Sequence, residues 1–360
     1  MTRSLNIDGF EIYDGSDCYV IAEIGNNHQG SLDKCKEMFR VAAECGANAV
    51  KLQKRDNCSL YTKAAFDKPY EHENSFGLTY GEHREFLEFG KYEYLELKKY
   101  AKKLGITFFA TAFDFPSADF LAELDMPVYK IASGDLKNIP LLKYVAQLQK
   151  PIILSTGGGT MEDVQRAYDA IMPINSQLCI LQCTAAYPAN FEELDLQVIN
   201  TYRQQFPDVV VGLSSHDNGI AMAVAAYVLG GSVIEKHFTL NRAMKGTDHA
   251  FSLEPTGLRK MVRDLRRTRQ AMGDGHKKVH LSERSAVIKM GKKLVAKHDL
   301  PMDHVLTASD IAIKSPGDGI PPYELENILG KVLTQPLQAD ESITFASLGD
   351  RLDCVPTLAK

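Results

Sequence analysis

The sequence predicts an α/β protein in which a (β/α)8 barrel, or TIM barrel, is followed by a small β-rich domain. Eight short apolar runs rich in β-branched residues recur between Tyr19 and His237, and amphipathic stretches separate them. Eight strand-and-helix units in this order are what a closed parallel barrel requires. After Gly273 the alternation stops, and short runs punctuated by turn residues take its place.

The eight apolar runs are predicted to be the buried strands of the barrel. They cover residues 19–23, 49–53, 107–111, 128–133, 151–155, 178–183, 209–214 and 233–237. Ser31 is the predicted N-cap of the first helix, and Gly46 marks the end of that helix. The second and third runs are the furthest apart. We interpret the polar, aromatic segment 70–80 between them as a long loop over the barrel mouth.

The change of pattern after Gly273 also predicts the domain organisation. The barrel domain is expected to span residues 1–273, a polar linker 274–284, the second domain 285–348 and a C-terminal tail 349–360. A short helix is expected after the linker, and from about Arg284 to Leu348 the chain is expected to form brief strands and turns, punctuated by Pro301, Pro316, Pro321 and Pro322. This second domain is too small to be expected to carry chemistry by itself.

Composition limits the partners and the compartment. With 44% hydrophobic residues, 24% charged residues and a net charge of −5, neither nucleic acid nor an acidic membrane surface is an expected partner. No apolar stretch approaches the roughly 18 residues of a membrane-spanning helix, and no signal-peptide run follows Met1. The seven cysteines include no Cys-x-x-Cys pair, which argues against a disulfide framework or a zinc knuckle. A reducing cytosol is therefore the expected compartment.

Charged and hydroxyl-bearing residues stand at the predicted strand ends, where barrel enzymes carry their catalytic groups. A charge in an apolar strand is costly unless it is paired or functional. Four charges ending four different strands therefore favour a functional pocket over four unrelated ion pairs. The strand-end residues are Glu23, Lys51, Gln53, Thr111, Lys130, Ser133, Ser155, Tyr187, Ser214, His216, Glu235 and His237. Two buried lysines among hydroxyls indicate a pocket for a small polyanion, such as a phosphorylated carboxylate.

His216 and His237 lie near the ends of the seventh and eighth predicted strands, so their imidazoles are able to converge on one divalent metal ion. Two neutral imidazoles together with oxygen ligands suit Mn²⁺, Fe²⁺, Co²⁺ or Zn²⁺. The pair flanks Glu235 and is followed by Asp248 and His249, which favours metal ligation over a structural role.

The glycine-rich turn 157–160 after the fifth predicted strand has two open interpretations. It is either a phosphate-binding turn with free amides or an ordinary helix start in which Thr160 pairs with Asp163. The sequence lacks Gly-x-x-x-x-Gly-Lys-Ser/Thr, and no Gly-x-Gly-x-x-Gly follows the first strand. Neither a nucleoside triphosphate nor a dinucleotide is therefore indicated.

Seven stretches together resemble the sialic acid (N-acylneuraminate) synthase family, and the resemblance covers nearly the whole chain. They are Ile-Ala-Glu-Ile-Gly-Asn-Asn-His-Gln-Gly at 21–30, Lys-Leu-Gln at 51–53, Lys-Ile-Ala-Ser-Gly-Asp at 130–135, Cys-Thr-Ala-Ala-Tyr-Pro at 183–188, Ser-Ser-His-Asp at 214–217, Glu-Lys-His-Phe-Thr-Leu at 235–240, and Gly-Thr-Asp-His at 246–249 running into Ser-Leu-Glu-Pro at 252–255. The C-terminal segment resembles the family's antifreeze-like (SAF) domain. Gly-Leu-Thr-Tyr-Gly-Glu-His at 77–83 further resembles the animal-type enzymes, which use a 6-phosphorylated N-acylmannosamine.

The resemblance implies condensation of phosphoenolpyruvate with the open-chain aldehyde of N-acetylmannosamine or its 6-phosphate. The products are N-acetylneuraminate, or its 9-phosphate, and inorganic phosphate. Mn²⁺ is the implied ion, with Mg²⁺ or Co²⁺ as alternatives. The resemblance implies the catalytic residues Glu23, Glu235 and Lys130 and the metal ligands His216 and His237. It implies phosphoenolpyruvate ligands at Lys51, Thr111, Lys130, Ser133 and Ser214. The implied sugar contacts are Gln53, Asp135, Tyr187, Asp248 and Lys314.

Three departures from the bacterial members leave the sugar open. Asp135 replaces a Glu, Ala185 replaces an Asn, and Ser315, beside Lys314, replaces an Arg that contacts the N-acyl group in the partner subunit. The phosphate-requiring branch also lacks that Arg, which favours the 9-phosphate product. The same resemblance implies a two-fold, domain-swapped homodimer in which the loop 314–322 of each SAF domain reaches into the partner's barrel mouth.

Other functions are weighed against this interpretation. One is a synthase for a legionaminic, pseudaminic or KDN-type acid. Another is a synthase making a 3-deoxy sugar acid from a pentose or tetrose phosphate, against which the SAF-like tail argues. A third is a non-catalytic sugar-binding protein on the same fold. Such a protein need not keep charges at every strand end, so their presence argues against it.

Overall fold

The structure is a computed structural model that describes residues 3–349 of the 360-residue chain. Two compact units meet in the sequence between Gly273 and Asp274, and each is described separately. Apart from Gly349, the predicted tail 349–360 lies outside the described residues. Within the described range, the longest apolar helices fall short of what crossing a membrane would need.

The first unit contains a closed barrel of eight parallel strands that pair in chain order, the last closing on the first. Its strands are β1 Ser4–Ile7, β2 Phe10–Tyr13, β3 Tyr19–Gly25, β4 Ala49–Lys54, β5 Thr107–Ala112, β6 Tyr129–Ile131, β7 Ile152–Ser155, β8 Leu178–Cys183, β9 Val210–Ser215 and β10 Val233–His237, of which β3 to β10 form the barrel. The predicted barrel is confirmed, and each predicted strand matches its observed counterpart to within one or two residues at either end.

The helices of the first unit connect its strands, and all but the three short ones in the long connection between β4 and β5 pack their apolar sides against outward-facing strand residues. They are α1 Leu32–Glu44, α2 Asn57–Leu60, α3 Lys63–Phe66, α4 Tyr80–Leu87, α5 Lys91–Leu104, α6 Phe115–Glu123, α7 Ile139–Gln147, α8 Met161–Ile171, α9 Val198–Gln205, α10 Ala221–Val228 and α11 Pro255–Ala271. As predicted, Ser31 caps α1 by accepting a hydrogen bond from the Lys34 amide. Gly46 follows the end of α1 with a φ of +88°, a conformation that glycine adopts without strain.

The N-terminal hairpin of β1 and β2 was not predicted, although the sequence carries a signal for it. Asp8 and Gly9 both have positive φ, as a two-residue hairpin turn of the Asp-Gly type requires. Leu5, Ile7 and Ile12 are buried and pack with residues at the starts of the barrel strands. The hairpin therefore closes the amino-terminal end of the barrel, opposite the strand ends that carry the predicted site.

The long connection between β4 and β5 contains three short helices and the predicted loop. Pro69 and Thr79 form a β-bridge at the base of segment 70–80. Thr79 then begins α4 with a capping box in which Glu82 takes part. The bridge holds the two ends of the loop together, and the capping box joins its second end to α4.

The second unit is built on two small antiparallel strand pairs around its own apolar cluster, which is centred on Leu294, Leu306 and Leu333. Its elements are α12 Arg284–Met290, β11 Lys293–Ala296, β12 Ile311–Lys314, α13 Leu325–Ile328, β13 Val332–Leu333 and β14 Leu348–Gly349. The short helix expected after the linker lies further along the chain than predicted: as α12 it forms the first seven residues of the stretch from Arg284 that was expected to hold strands and turns, and it is exposed. Its sequence, Arg-Ser-Ala-Val-Ile-Lys-Met, contains no glycine or proline to interrupt a helix.

Replacing Ile12 with Ala tests whether the hairpin stabilises the barrel. Ile12 is completely buried, so the change removes apolar contacts and leaves a cavity; we expect the free energy of unfolding to fall by about 2–5 kcal/mol. The control is Glu11→Ala at the neighbouring exposed position, which we expect to change it by about 0.5 kcal/mol or less. Equal denaturant midpoints for the two variants would show that the hairpin is an appendage.

Candidate active site

The carboxyl ends of the barrel strands surround a cavity of about 790 Å³. Most of the residues predicted to form the site lie in its wall. They are Glu23, Lys51, Gln53, Thr111, Lys130, Ser133, Ser155, Tyr187, Ser214, His216, Glu235, His237 and Asp248. Alternation along the parallel strands brings the strand residues together, because every second residue points into the barrel. The loops after the strands add Ser133, Tyr187, His216 and Asp248.

Lys51 lies between two buried carboxylates at the floor of the cavity. Its Nζ is 3.0 Å from Glu23 Oε2 and 3.4 Å from Glu235 Oε1, and it donates a hydrogen bond of 2.9 Å to Thr111 Oγ1. Gln53 Nε2 donates to the other oxygen of Glu23 at 2.8 Å. All these groups except Gln53 are almost completely removed from water, so they depend on one another for compensation of charge.

Lys130 is also buried, and the charge of Glu235 acts on it without forming an ion pair. Its Nζ donates to Ser155 Oγ at 2.6 Å and to the carbonyl oxygen of Ile131 at 2.9 Å, and within residues 3–349 no carboxylate is paired with it. Burial lowers the pKa of Lys130, because the charged form loses its hydration. A buried ammonium group that has only neutral partners is suited to bind an anion.

The two carboxylates differ in how readily they hold a proton. Burial raises the pKa of Glu23 to about 7; the charge of Lys51 opposes the shift and that of Glu235 adds to it. Burial also acts to raise the pKa of Glu235, but the charges of Lys130 and Lys51 outweigh it and leave that pKa below its ordinary value. At neutral pH Glu235 is therefore ionised while Glu23 is available to give or take a proton.

The two predicted metal-binding histidines face each other, with their ring centroids 5.3 Å apart. His216 Nδ1 lies 2.9 Å from the carbonyl oxygen of Thr184, which only accepts, so this nitrogen carries the proton and Nε2 is free. His237 Nδ1 is buried without a hydrogen-bond partner and lies 3.9 Å from Asp248 Oδ2. Burial lowers the pKa of both rings, to about 3 for His237, so both are neutral at physiological pH.

Two neutral imidazoles with free nitrogens beside a carboxylate are a donor set that fits a divalent metal ion. Within residues 3–349 no group of three or more His, Cys, Asp or Glu side chains is arranged to hold a metal by itself. An ion at His216 and His237 would therefore take further ligands from solvent or substrate, as an open catalytic site does.

The turn 157–160 begins a helix, and most of its amides are already engaged. Thr160 caps α8 in a capping box with Asp163, as one of the two interpretations predicted. The Gly157 amide donates to Ser133 Oγ at 2.9 Å, and the Gly159 amide donates to the carbonyl oxygen of Thr156. A Cβ at Gly157 would lie 2.9 Å from Ser133 Oγ, so the cavity wall needs glycine at this position.

One predicted sugar contact, Asp135, lies outside the cavity wall, and another, Lys314, was predicted for the partner's barrel mouth and stays a prediction. Asp135 is in a short 3₁₀ turn after β6, where its carboxylate accepts a hydrogen bond from Asn138, and it is not part of the cavity wall. Lys314 belongs to the second unit, where its ammonium group pairs with Asp340. His249 is buried, with Nδ1 2.7 Å from Thr239 Oγ1.

Several wall residues were not predicted. They include Asn26, Arg55, Tyr70, His72, Asn74, Tyr80, Arg84, Phe113 and Thr247. For Arg55 the signal was present, since it continues the every-second-residue series of Lys51 and Gln53. The side chains of Tyr70, His72, Asn74 and Tyr80 come from the loop that was expected over the barrel mouth.

Comparison with known proteins agrees with this geometry. A model of the NeuB family matches residues 38–277, and a model of the SAF domain matches residues 293–349. N-acetylneuraminate-9-phosphate synthase from Homo sapiens is 40% identical over 91% of this chain and 91% of its own length. N,N'-diacetyllegionaminic acid synthase from Campylobacter jejuni is 38% identical over 90% of this chain and 98% of its own.

Among solved structures, the N-acetylneuraminic acid (sialic acid) synthetase from Leptospira borgpetersenii, in complex with citrate, has a TM-score of 0.69 and 31% identity. The match covers 80% of this chain and 96% of that one. The predicted family resemblance and the SAF domain are thus confirmed. The chain belongs to the NeuB family and carries a C-terminal SAF domain.

Proposed function

We propose that the protein condenses phosphoenolpyruvate with N-acetylmannosamine 6-phosphate to give N-acetylneuraminate 9-phosphate and inorganic phosphate. The observation that carries the proposal is the pair of buried lysines, Lys51 on β4 and Lys130 on β6, each beside a hydroxyl group. The human relative is named for the 9-phosphate product. Three carbons added to a hexose move its C6 phosphate to C9, so a 9-phosphate product requires a 6-phosphorylated sugar.

The chemistry follows from the charges at the floor of the cavity. Lys51, Lys130 and the hydroxyls of Thr111, Ser133 and Ser214 bind the phosphate and carboxylate of phosphoenolpyruvate. Its C3 attacks the aldehyde carbon of the sugar, water adds to the resulting cationic C2, and phosphate then leaves with its bridging oxygen. The ionised Glu235 stabilises positive charge at C2 through its own negative charge.

Glu23 is suited to proton transfer to the aldehyde oxygen. Its pKa of about 7 lets it carry a proton at neutral pH, and it is held by Gln53, a proposed sugar contact. Tyr187 and Asp248 lie in the same wall and complete the proposed sugar contacts there. Glu23 thus contacts both Gln53, a proposed sugar ligand, and Lys51, a proposed phosphoenolpyruvate ligand.

We infer that His216 and His237 hold a divalent metal ion, with Mn²⁺ the ion we expect. When bound, it would supply Lewis-acid polarisation of the aldehyde oxygen.

A domain-swapped homodimer in a reducing cytosol is also part of the proposal. The dimer is supported by the family resemblance, and the compartment by the six cysteines in the described range, all of which are free thiols.

Phosphate release from phosphoenolpyruvate, measured with a panel of sugars, tests the proposed function. We expect the highest kcat/KM with N-acetylmannosamine 6-phosphate. The panel contains N-acetylmannosamine, the sugar precursors of legionaminic and pseudaminic acids, and a pentose phosphate as controls. Preference for a legionaminic or pseudaminic precursor would reassign the product, and no phosphate release with any sugar would contradict the enzymatic assignment.

Lys51→Met and Lys130→Met each keep most of the apolar stem and remove the charge. We expect kcat/KM for phosphoenolpyruvate to fall by about 100-fold or more, because charge-assisted hydrogen bonds to the anion are lost. Lys91→Met, which removes an exposed ion pair with Glu123, is the matched control and should have no effect. Wild-type kcat/KM in both buried-site variants would make these lysines structural.

Metal dependence is tested on His216 and His237 by activity and by direct binding. We expect a chelator to abolish phosphate release and Mn²⁺ to restore it, and Mn²⁺ binding measured by electron paramagnetic resonance to be lost in the His216→Ala/His237→Ala variant. His276→Ala, at an exposed position, should bind Mn²⁺ like the unmodified chain. Full turnover by the double variant in metal-free buffer would refute the site.

A further inference from the structure

Two guanidinium groups that the proposed reaction does not use lie in the wall of the same cavity. Arg55 directly follows β4, and Arg84 lies in α4, within the long connection between β4 and β5. Both side chains come from the segment that includes the loop 70–80 over the barrel mouth.

Arg55 is buried with part of its hydrogen-bonding capacity unused. Only 7% of its surface is exposed, and its Nη1 has no hydrogen-bond partner. Its Nη2 donates to Gln53 Oε1 at 2.7 Å, and the guanidinium stacks on the Phe113 ring, 3.9 Å from the centroid. Glu88 is 3.8 Å from Nη1, but it is shared with Lys54, whose Nζ lies 3.2 Å away.

Arg84 differs from Arg55 in having a phenol hydroxyl, not a carboxylate, beside its guanidinium. Its Nε and Nη2 both donate to the hydroxyl of Tyr80, at 3.0 and 2.8 Å, and within residues 3–349 no carboxylate forms an ion pair with it. Burial and then the charge of Arg84 lower the pKa of Arg55, which shows that the two cations repel each other. Asp248 is the carboxylate of the cavity that acts on Arg84.

The two cations are separate from the lysines at the floor. Arg55 is four residues beyond Lys51, or about 13 Å along an extended strand. Asn74 and His72 lie in the same cavity wall. The cavity thus has one cationic pair at its floor and a second on the β4 side of its wall, an arrangement that suits two anionic groups held apart.

We propose that Arg55 and Arg84 bind the terminal phosphate of the sugar substrate, and so determine that a 6-phosphorylated rather than an unphosphorylated N-acylmannosamine is used. This inference rests on the proposed condensation reaction and specifies which residues select its sugar. Two planar guanidinium groups match the oxygens of a phosphate, which accept paired hydrogen bonds. The unpartnered Nη1 of Arg55 and the missing carboxylate at Arg84 leave donors for those bonds.

The test is the ratio of kcat/KM for N-acetylmannosamine 6-phosphate to that for N-acetylmannosamine, at saturating phosphoenolpyruvate. We expect the unmodified protein to prefer the phosphorylated sugar and Arg84→Met to lower the ratio by about 10- to 100-fold. Arg84→Lys, which keeps the charge but loses the planar fork, should recover part of it. Arg55→Lys, a milder change at the more buried position, should also lower the ratio. Arg40→Met, at an exposed helix position, should leave it unchanged. Thermal midpoints establish that each variant is folded.

The outcomes separate the inference from the proposed function. An unchanged ratio in both Arg84→Met and Arg55→Lys would overturn the phosphate site and leave the condensation reaction standing. A protein that prefers the unphosphorylated sugar would also overturn it without affecting the reaction class. Absence of phosphate release from phosphoenolpyruvate with every mannosamine would instead refute the proposed function and, with it, the inference that depends on it.

Discussion

Lys51 forms ion pairs with Glu23 and Glu235 at the floor of the barrel, and the properties of the site depend on this arrangement. Within the described residues, the second buried cation, Lys130, forms no ion pair and donates its hydrogen bonds to Ser155 and Ile131, although the charge of Glu235 acts on it. It is therefore able to bind an anion. The two carboxylates also differ in pKa, because the charge of Lys130 lowers the pKa of Glu235. Removing one member of a buried ion pair destabilises a protein by about 3–5 kcal/mol, because it leaves the other charge buried without compensation.

The barrel positions these groups because side chains along each strand point alternately into the barrel and outward. In β10, Glu235 and His237 point into the cavity, whereas Lys236 between them points outward and is neutralised by Asp217 at 2.8 Å. Lys130 and Lys236 are buried to almost the same extent, but they differ in their partners. Lys236 is paired with Asp217, whereas Lys130 forms no ion pair within residues 3–349 and is available to a ligand. The N-terminal hairpin closes the other end of the barrel with apolar side chains, and the opposite end remains available for polar groups.

Much of this could be predicted from sequence because periodicity and strand ends are local signals. The eight strands, the cap at Ser31 and the convergence of strand-end charges are of this kind. The hairpin was missed although the Asp8-Gly9 turn marks it, because each of its strands has four residues and buries no more than two of them. Arg84 was missed because its role depends on which loop residues fold over the mouth. The absence of Asp135 from the cavity wall likewise follows from a 3₁₀ turn that directs it toward Asn138, a contact that spacing alone does not reveal.

Lys51 and Lys130 are proposed to bind phosphoenolpyruvate together, and a crystal structure of the protein with phosphoenolpyruvate and no sugar is the sharpest test. We expect oxygens of the ligand's phosphate or carboxylate within hydrogen-bond distance of both Lys51 Nζ and Lys130 Nζ, with Glu23 and Glu235 still beside Lys51. Phosphoenolpyruvate bound elsewhere, with Lys130 still donating only to Ser155 and Ile131, would contradict it.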